Sequence, residues 1–164
     1  MHMTRSNRVI SITAAAALAM VTLTAAPAFA DGSGGDSVLS APLIGSTPAV
    51  SPIIADVKPG LAPWVNGPSM VRVREDGRIT VTIRGLVIPP PVGKGVNPIA
   101  SVVATLVCDN MVAPSTAPFA LSTAGDGSTS DMISVPRHCE DPAVLIQPAR
   151  NRSVNIASTM GEDD

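Results

Sequence analysis

The chain has 164 residues, 45% hydrophobic but only 2% aromatic, with 11 basic and 13 acidic residues and a formal charge of −2. That length suits one domain better than two. The basic residues form no long block, which argues against nucleic acid and anionic membrane surfaces as partners. So few rings also exclude a platform that holds sugars or single-stranded nucleic acid by stacking.

At the N-terminus Arg5 and Arg8 precede an uncharged, alanine-rich run from Val9 to Ala26. The run closes on Ala28-Phe29-Ala30, with small residues at the positions signal peptidase reads, and Asp31 follows. The pattern predicts a cleaved signal peptide over 1–30 and an exported protein with no membrane anchor afterwards. Cleavage would leave 134 residues, with nine basic against thirteen acidic ones and a formal charge of −4. Trp64 and Phe119 would then be the remaining rings, so the core must be built from Val, Ile, Leu, Ala and Met.

Residues 31–67 are rich in Pro, Gly and Ser. Prolines at 42, 48, 52, 59 and 63 are close enough to forbid a long helix and to interrupt a central strand. The segment is read as a partly extended or disordered leader, with Val38–Ile44 and Val50–Val57 as edge strands at most. The domain proper is expected over 68–160, followed by an acidic tail at 161–164.

From Met70 the pattern alternates. MVRVR and ITVTIR flank Glu75-Asp76-Gly77-Arg78, and Asp-Gly between alternating β-branched residues predicts a hairpin. Val71, Val73, Ile79, Val81 and Ile83 should face a core, and Arg72, Arg74, Thr80, Thr82 and Arg84 water. Next comes Gly85–Pro98, GLVIPPPVGKGVNP. It lacks the GK[ST] ending and the helix that a phosphate loop needs. Pro89, Pro90 and Pro91 fit a polyproline segment or a stiff connection between sheets, and Lys94 tips a loop that could serve as a recognition surface. Ile99–Cys108 is apolar on both faces and predicts a central strand. Asp109-Asn110 and Ala124–Gly127 read as turns, with short strands after them, at Ala143–Gln147 and at Ser153–Ser158. About seven short strands and no amphipathic helix predict an all-β, Ig-like antiparallel β-sandwich.

Two cysteines, Cys108 and Cys139, in an exported chain predict one disulfide. A metal at Cys108, His138 and Cys139 would lack a fourth ligand. His138 is the one histidine left after cleavage. Asp131 or Asp141 could orient it, but no G-x-S-x-G elbow supplies a nucleophile. Glu75-Asp76 and Glu140-Asp141 read as turn chemistry rather than paired catalytic acids, and Asp126 with Asp131 lacks EF-hand spacing for calcium. No catalytic, metal or cofactor site is expected, and Asn151-Arg152-Ser153 is a glycosylation sequon only in a eukaryotic secretory route.

The runs VTIRGLVIPPPVGKGVNPIASVVATLVC, GDGSTSDMISVPRHC and PAVLIQP resemble small secreted proteins of high-GC Gram-positive bacteria that carry one disulfide and no assigned activity. The resemblance spans Val81–Pro148, about half the chain, and implies a bacterial, extracellular β-sandwich without implying a function. The expected role is a non-enzymatic extracellular interaction or structural module with an unknown protein partner. The alternatives are a carrier whose Val-, Met- and Ala-lined interior holds a small apolar ligand, or a protease-inhibitor-like binder.

Overall fold

A computed structural model describes residues 36–159. The expected signal peptide and acidic tail lie outside the described residues. In chain order the strands are β1 (Ser37–Gly45), β2 (Lys58–Pro59), β3 (Met70–Arg74), β4 (Arg78–Ile83), β5 (Ser101–Cys108) and β6 (Met111–Ser115). They continue as β7 (Phe119–Ala120), β8 (Gly127–Met132), β9 (Ala143–Pro148), β10 (Val154–Asn155) and β11 (Ala157–Thr159). Among the described residues there is no helix, so none is long and apolar enough to cross a membrane.

The β3–β4 hairpin forms as its alternation predicts. Val71, Val73, Ile79 and Val81 are fully buried and Ile83 nearly so, while Arg72, Thr80 and Arg84 are exposed; Arg74 and Thr82, also expected to face water, are half-buried. Gly77 closes the turn at φ +91°, donating its N–H to Arg74 O, and Asp76 Oδ1 accepts the Arg78 N–H at 2.9 Å. A side chain at Gly77 would collide with the carbonyl of Ile133, so both backbone shape and space require glycine there.

Nine strands form one curled antiparallel sheet, a half-barrel, in the order β6-β5-β9-β11-β1-β3-β4-β8, with β7 pairing β5. Among the described residues eleven strands replace the seven or so expected, because several segments pair over only two or three residues. The central position expected for β5 is correct: β9 lies on one edge, β6 and β7 on the other.

The chain before residue 68 differs most from expectation. β1 is nine residues long and internal, pairing β3 over Ser37–Pro42 and β11 over Leu43–Gly45. Pro42 is tolerated because successive N–H groups point to opposite edges. Leu43 donates to Ser69 O on the β3 side, so the donor that Pro42 lacks faces the other edge, where β11 pairs only from Leu43 onward. The following segment lies over the sheet. Ile54, Ala55 and Val57 cover Val107, Ala143 and Leu145 on one face of β5 and β9. Val102, Ala104 and Leu106 face the main core with the hairpin residues and Trp64. The stretch expected as a leader is therefore part of the folded unit from Ser37 onward, and a boundary at residue 68 would cut through its sheet.

Cys108 and Cys139 form the expected disulfide. It closes a loop with a sequence separation of 31 residues, which in the chain-entropy view stabilises the fold by roughly 3.5–4 kcal/mol.

Candidate functional site

The Gly85–Pro98 stretch links β4 to β5 and leaves the sheet as an ordered excursion. Val87 bridges Val65, and Ile88 bridges Val96. Within the excursion, Gly93 N–H donates to Pro89 O at 2.9 Å and Gly95 N–H to Ile88 O at 3.0 Å. The triple proline is therefore bent into a turn, with a cis Pro90–Pro91 bond, and is not a polyproline helix. A Cβ on Gly93 would overlap the carbonyl and side chain of Ile88, so glycine is what lets the turn close. At the base, Leu86 N–H donates to Gly125 O, and Asn97 Nδ2 donates to Ile99 O and Ser122 O at 2.6 and 2.8 Å.

The tip is what remains for contact. Pro90, Pro91 and Lys94 are exposed, Pro89 is half-buried, and Val92 and Val96 are 65% and 47% exposed. An apolar surface with one cation is thus held by backbone bonds before any partner arrives, which lowers the ordering cost of binding. The sequence marked the prolines and Lys94. Val92 and Val96 it did not mark, because the bends that turn them outward leave no periodic signal.

The other candidates do not assemble. The carboxylate of Asp131 accepts N–H groups from Ala117 at 2.7 Å and Met132 at 2.8 Å, which lower its pKa from the ordinary carboxylate value. That carboxylate ties the segment before β7 to β8 and is not aimed at His138, which is exposed, as is Asp141. Asp126 Oδ1 accepts the Gly85 N–H. Among the described residues no group of three or more His, Cys, Asp or Glu is placed to hold a metal.

Two open depressions lie on the surface. One, about 530 Å³, includes Ser37, Glu75 and Arg137 in its lining; the other, about 460 Å³, runs past Pro42, Ile44, Pro68 and Met70. Among the described residues Met70, Met111 and Met132 are exposed.

At the Cys108 end of β5, five non-glycine residues adopt positive φ: Ala55, Asp56, Asp109, Asn110 and Asp141. Two tight turns meet there, Ile54–Val57 and Cys108–Met111, and Asn110 Oδ1 accepts the Ala55 N–H at 2.8 Å. Asp109 N–H donates to Glu140 O. Asp-Asn was legible as a turn, whereas Ala55 carries no turn signature at all.

The chain matches no known family model, and no curated protein or solved structure is significantly similar to it.

Proposed function

We propose that this chain is a secreted, non-enzymatic interaction module of bacterial origin whose contact surface is the tip of the Pro89–Val96 loop. One observation carries the reading: Pro90, Pro91, Val92, Lys94 and Val96 point outward from a loop fixed by its own backbone hydrogen bonds. The N-terminal pattern and a disulfide compatible with an extracellular protein support export. An Ig-like arrangement is the finer fold reading; what supports it is β1, which leaves β3 for β11 at Pro42 as a strand that switches sheets would. Kinship with the small secreted proteins of high-GC Gram-positive bacteria rests on the sequence pattern alone.

The test is a quantitative pull-down from envelope and culture fractions of the source organism. A partner held by the wild type, lost with Val92→Glu or Lys94→Glu and kept by Val50→Glu would support the loop. Equal capture by all four proteins would remove it.

The carrier reading keeps one observation, the groove between Pro42 and Met70 with Ile44 on its wall. A reproducible small-molecule adduct in native mass spectrometry, lost with Met70→Glu, would favour it over the loop.

A further inference from the structure

The hairpin's alternation, which builds the core on one side, concentrates charge on the other. Val71, Val73, Ile79 and Val81 point inward, so Arg72, Arg74, Arg78 and Thr80 share the outer face of the sheet. Registers fix their neighbours. Ser40, Arg72, Thr80 and Ser130 lie in one row across four strands. In the next row Ser37 pairs Arg74, and Arg78 pairs Met132. Val73 opposes Ile79, so one step further Arg74 opposes Arg78 across the hairpin. Strand spacing puts these two about 5 Å apart at the backbone, with Arg72 about 7 Å from Arg74 along its strand.

Placing like charges directly opposite each other weakens a sheet, so the pair calls for a reason other than stability. Carboxylates near the turn do not cover the face. Asp76 engages the Arg78 N–H through Oδ1, Glu75 lines the adjoining cleft, and Asp36 meets the turn through its backbone, accepting the Glu75 N–H. That cleft adds a fourth guanidinium, Arg137, beside Ser37, the strand partner of Arg74.

The geometry points to a binding face for an acidic polysaccharide, with Arg72, Arg74 and Arg78 as forks for its anionic groups. The hydroxyls of Ser40, Thr80 and Ser130 flank them as donors and acceptors for sugar oxygens. Guanidinium forks match carboxylate, sulfate and phosphate oxygens in pairs. The charge complementarity selects an anion, and the surface selects its carrier. The face presents no ring on which bases could stack, and it is a sheet face, not an edge or apolar groove of the kind that seats peptides. Recognition by charge and hydroxyls also escapes the objection that a chain with so few rings cannot hold sugars by stacking.

Titrating the disulfide-bonded chain with dextran sulfate, with uncharged dextran and with a duplex DNA oligonucleotide tests this. Saturable binding to dextran sulfate alone is expected, weakened about tenfold or more in R72Q/R74Q/R78Q. The control K58Q/R150Q/R152Q removes the same charge elsewhere and should leave binding nearly unchanged. Should the glutamine triple fail to fold, R72K/R74K/R78K keeps the charge and loses the forks, and should still weaken binding severalfold. Equal weakening by the hairpin and control triples, DNA bound as tightly as dextran sulfate, or no saturable binding would each overturn the assignment.

Discussion

The two ends of β5 solve the same problem, turning the chain sharply at the rim of a curled sheet, with opposite materials. Before Ser101 the chain bends on prolines and on Gly93, so its tight contacts cost little conformational strain. At the Cys108 end the chain bends, in two separate turns and at Asp141, on Ala55, Asp56, Asp109, Asn110 and Asp141 in the left-handed region. Each such residue costs up to about 1–2 kcal/mol, less for Asp and Asn, whose side chains bond locally. Strain of that kind persists only where the surroundings over-determine it. Here the Ala55–Asn110 bond, the Asp109–Glu140 bond, the disulfide and the apolar lid of Ile54 and Val57 supply the constraint. One rim is relaxed and presents a surface; the other is strained and clamped.

Removing the clamp should have the largest effect. The pair C108S/C139S, or reduction, is expected to lower unfolding free energy by roughly 3–4 kcal/mol in urea titrations. Hydrogen exchange should show where the loss falls, with the Ala55 and Asp109 amides unprotected and those of Ile88 and Gly95 nearly unchanged. If both rims loosened together, the two would be one cooperative unit and the contrast would fail.

Gly93→Ala attacks the other rim. A methyl there meets the Ile88 carbonyl that accepts the Gly95 N–H. The expected cost is about 1–3 kcal/mol, typical of forced overpacking, confined to the loop. Faster exchange at Gly95, with Asp109 unaffected, would keep the rims independent. Loss of partner capture in the same variant would tie the loop's shape to its role.

Ala55→Gly tests the strain itself. Glycine removes the left-handed penalty but adds chain entropy to the unfolded state, so the net gain should be small, about 0.5–1 kcal/mol. A higher Tm would show that the strained rim stores energy at Ala55. A lower one would mean that the alanine methyl, half-buried beside Val57, contributes more by packing than its backbone costs.

Why one rim was readable and the other was not follows from what each residue type announces. Val71, Val73, Ile79 and Val81 repeat with period two, and period two has one structural meaning when a turn follows. The disulfide followed from counting. β1 was legible as an edge strand at Val38–Ile44 but not as an internal one, because Pro42 argues against an internal strand until it is known that its missing donor faces an edge left unpaired at that point. Trp64 and Val57 gave no pattern either, since a covering segment follows the shape beneath it and not its own periodicity. Nor does anything in the sequence mark Asn155, which is buried with no hydrogen-bond partner for its side-chain atoms among the described residues. The arginine face was half legible: alternation alone puts Arg72 and Arg74 on the water side, whereas Arg78, beyond Glu75-Asp76-Gly77, joins them only when the hairpin register sets it opposite Arg74.

The smallest expected effect lies where the curled sheet comes closest to closing on itself. Asp131 on β8 accepts the N–H of Ala117, just before β7, and so ties the last strand of the sheet order to a segment that pairs β5. Those amide bonds favour the carboxylate, so its pKa is lower in the folded protein than in the unfolded chain. A depressed carboxyl contributes stability that is fully present above the unfolded value, near 3.9, and is lost as pH falls through the folded value below it. Thermal unfolding followed from pH 7 toward strong acid should therefore be flat with respect to this group until about pH 4 and then decline. Asp131→Asn keeps an oxygen acceptor for Ala117 but cannot ionise, so its melting temperature should fall slightly at neutral pH and lose part of the acid decline. An acid limb identical in the two proteins would mean that Asp131 does not hold this seam. The near-closure of the sheet would then depend on the β5–β7 pairing and on Leu121, which is buried in the core just past it.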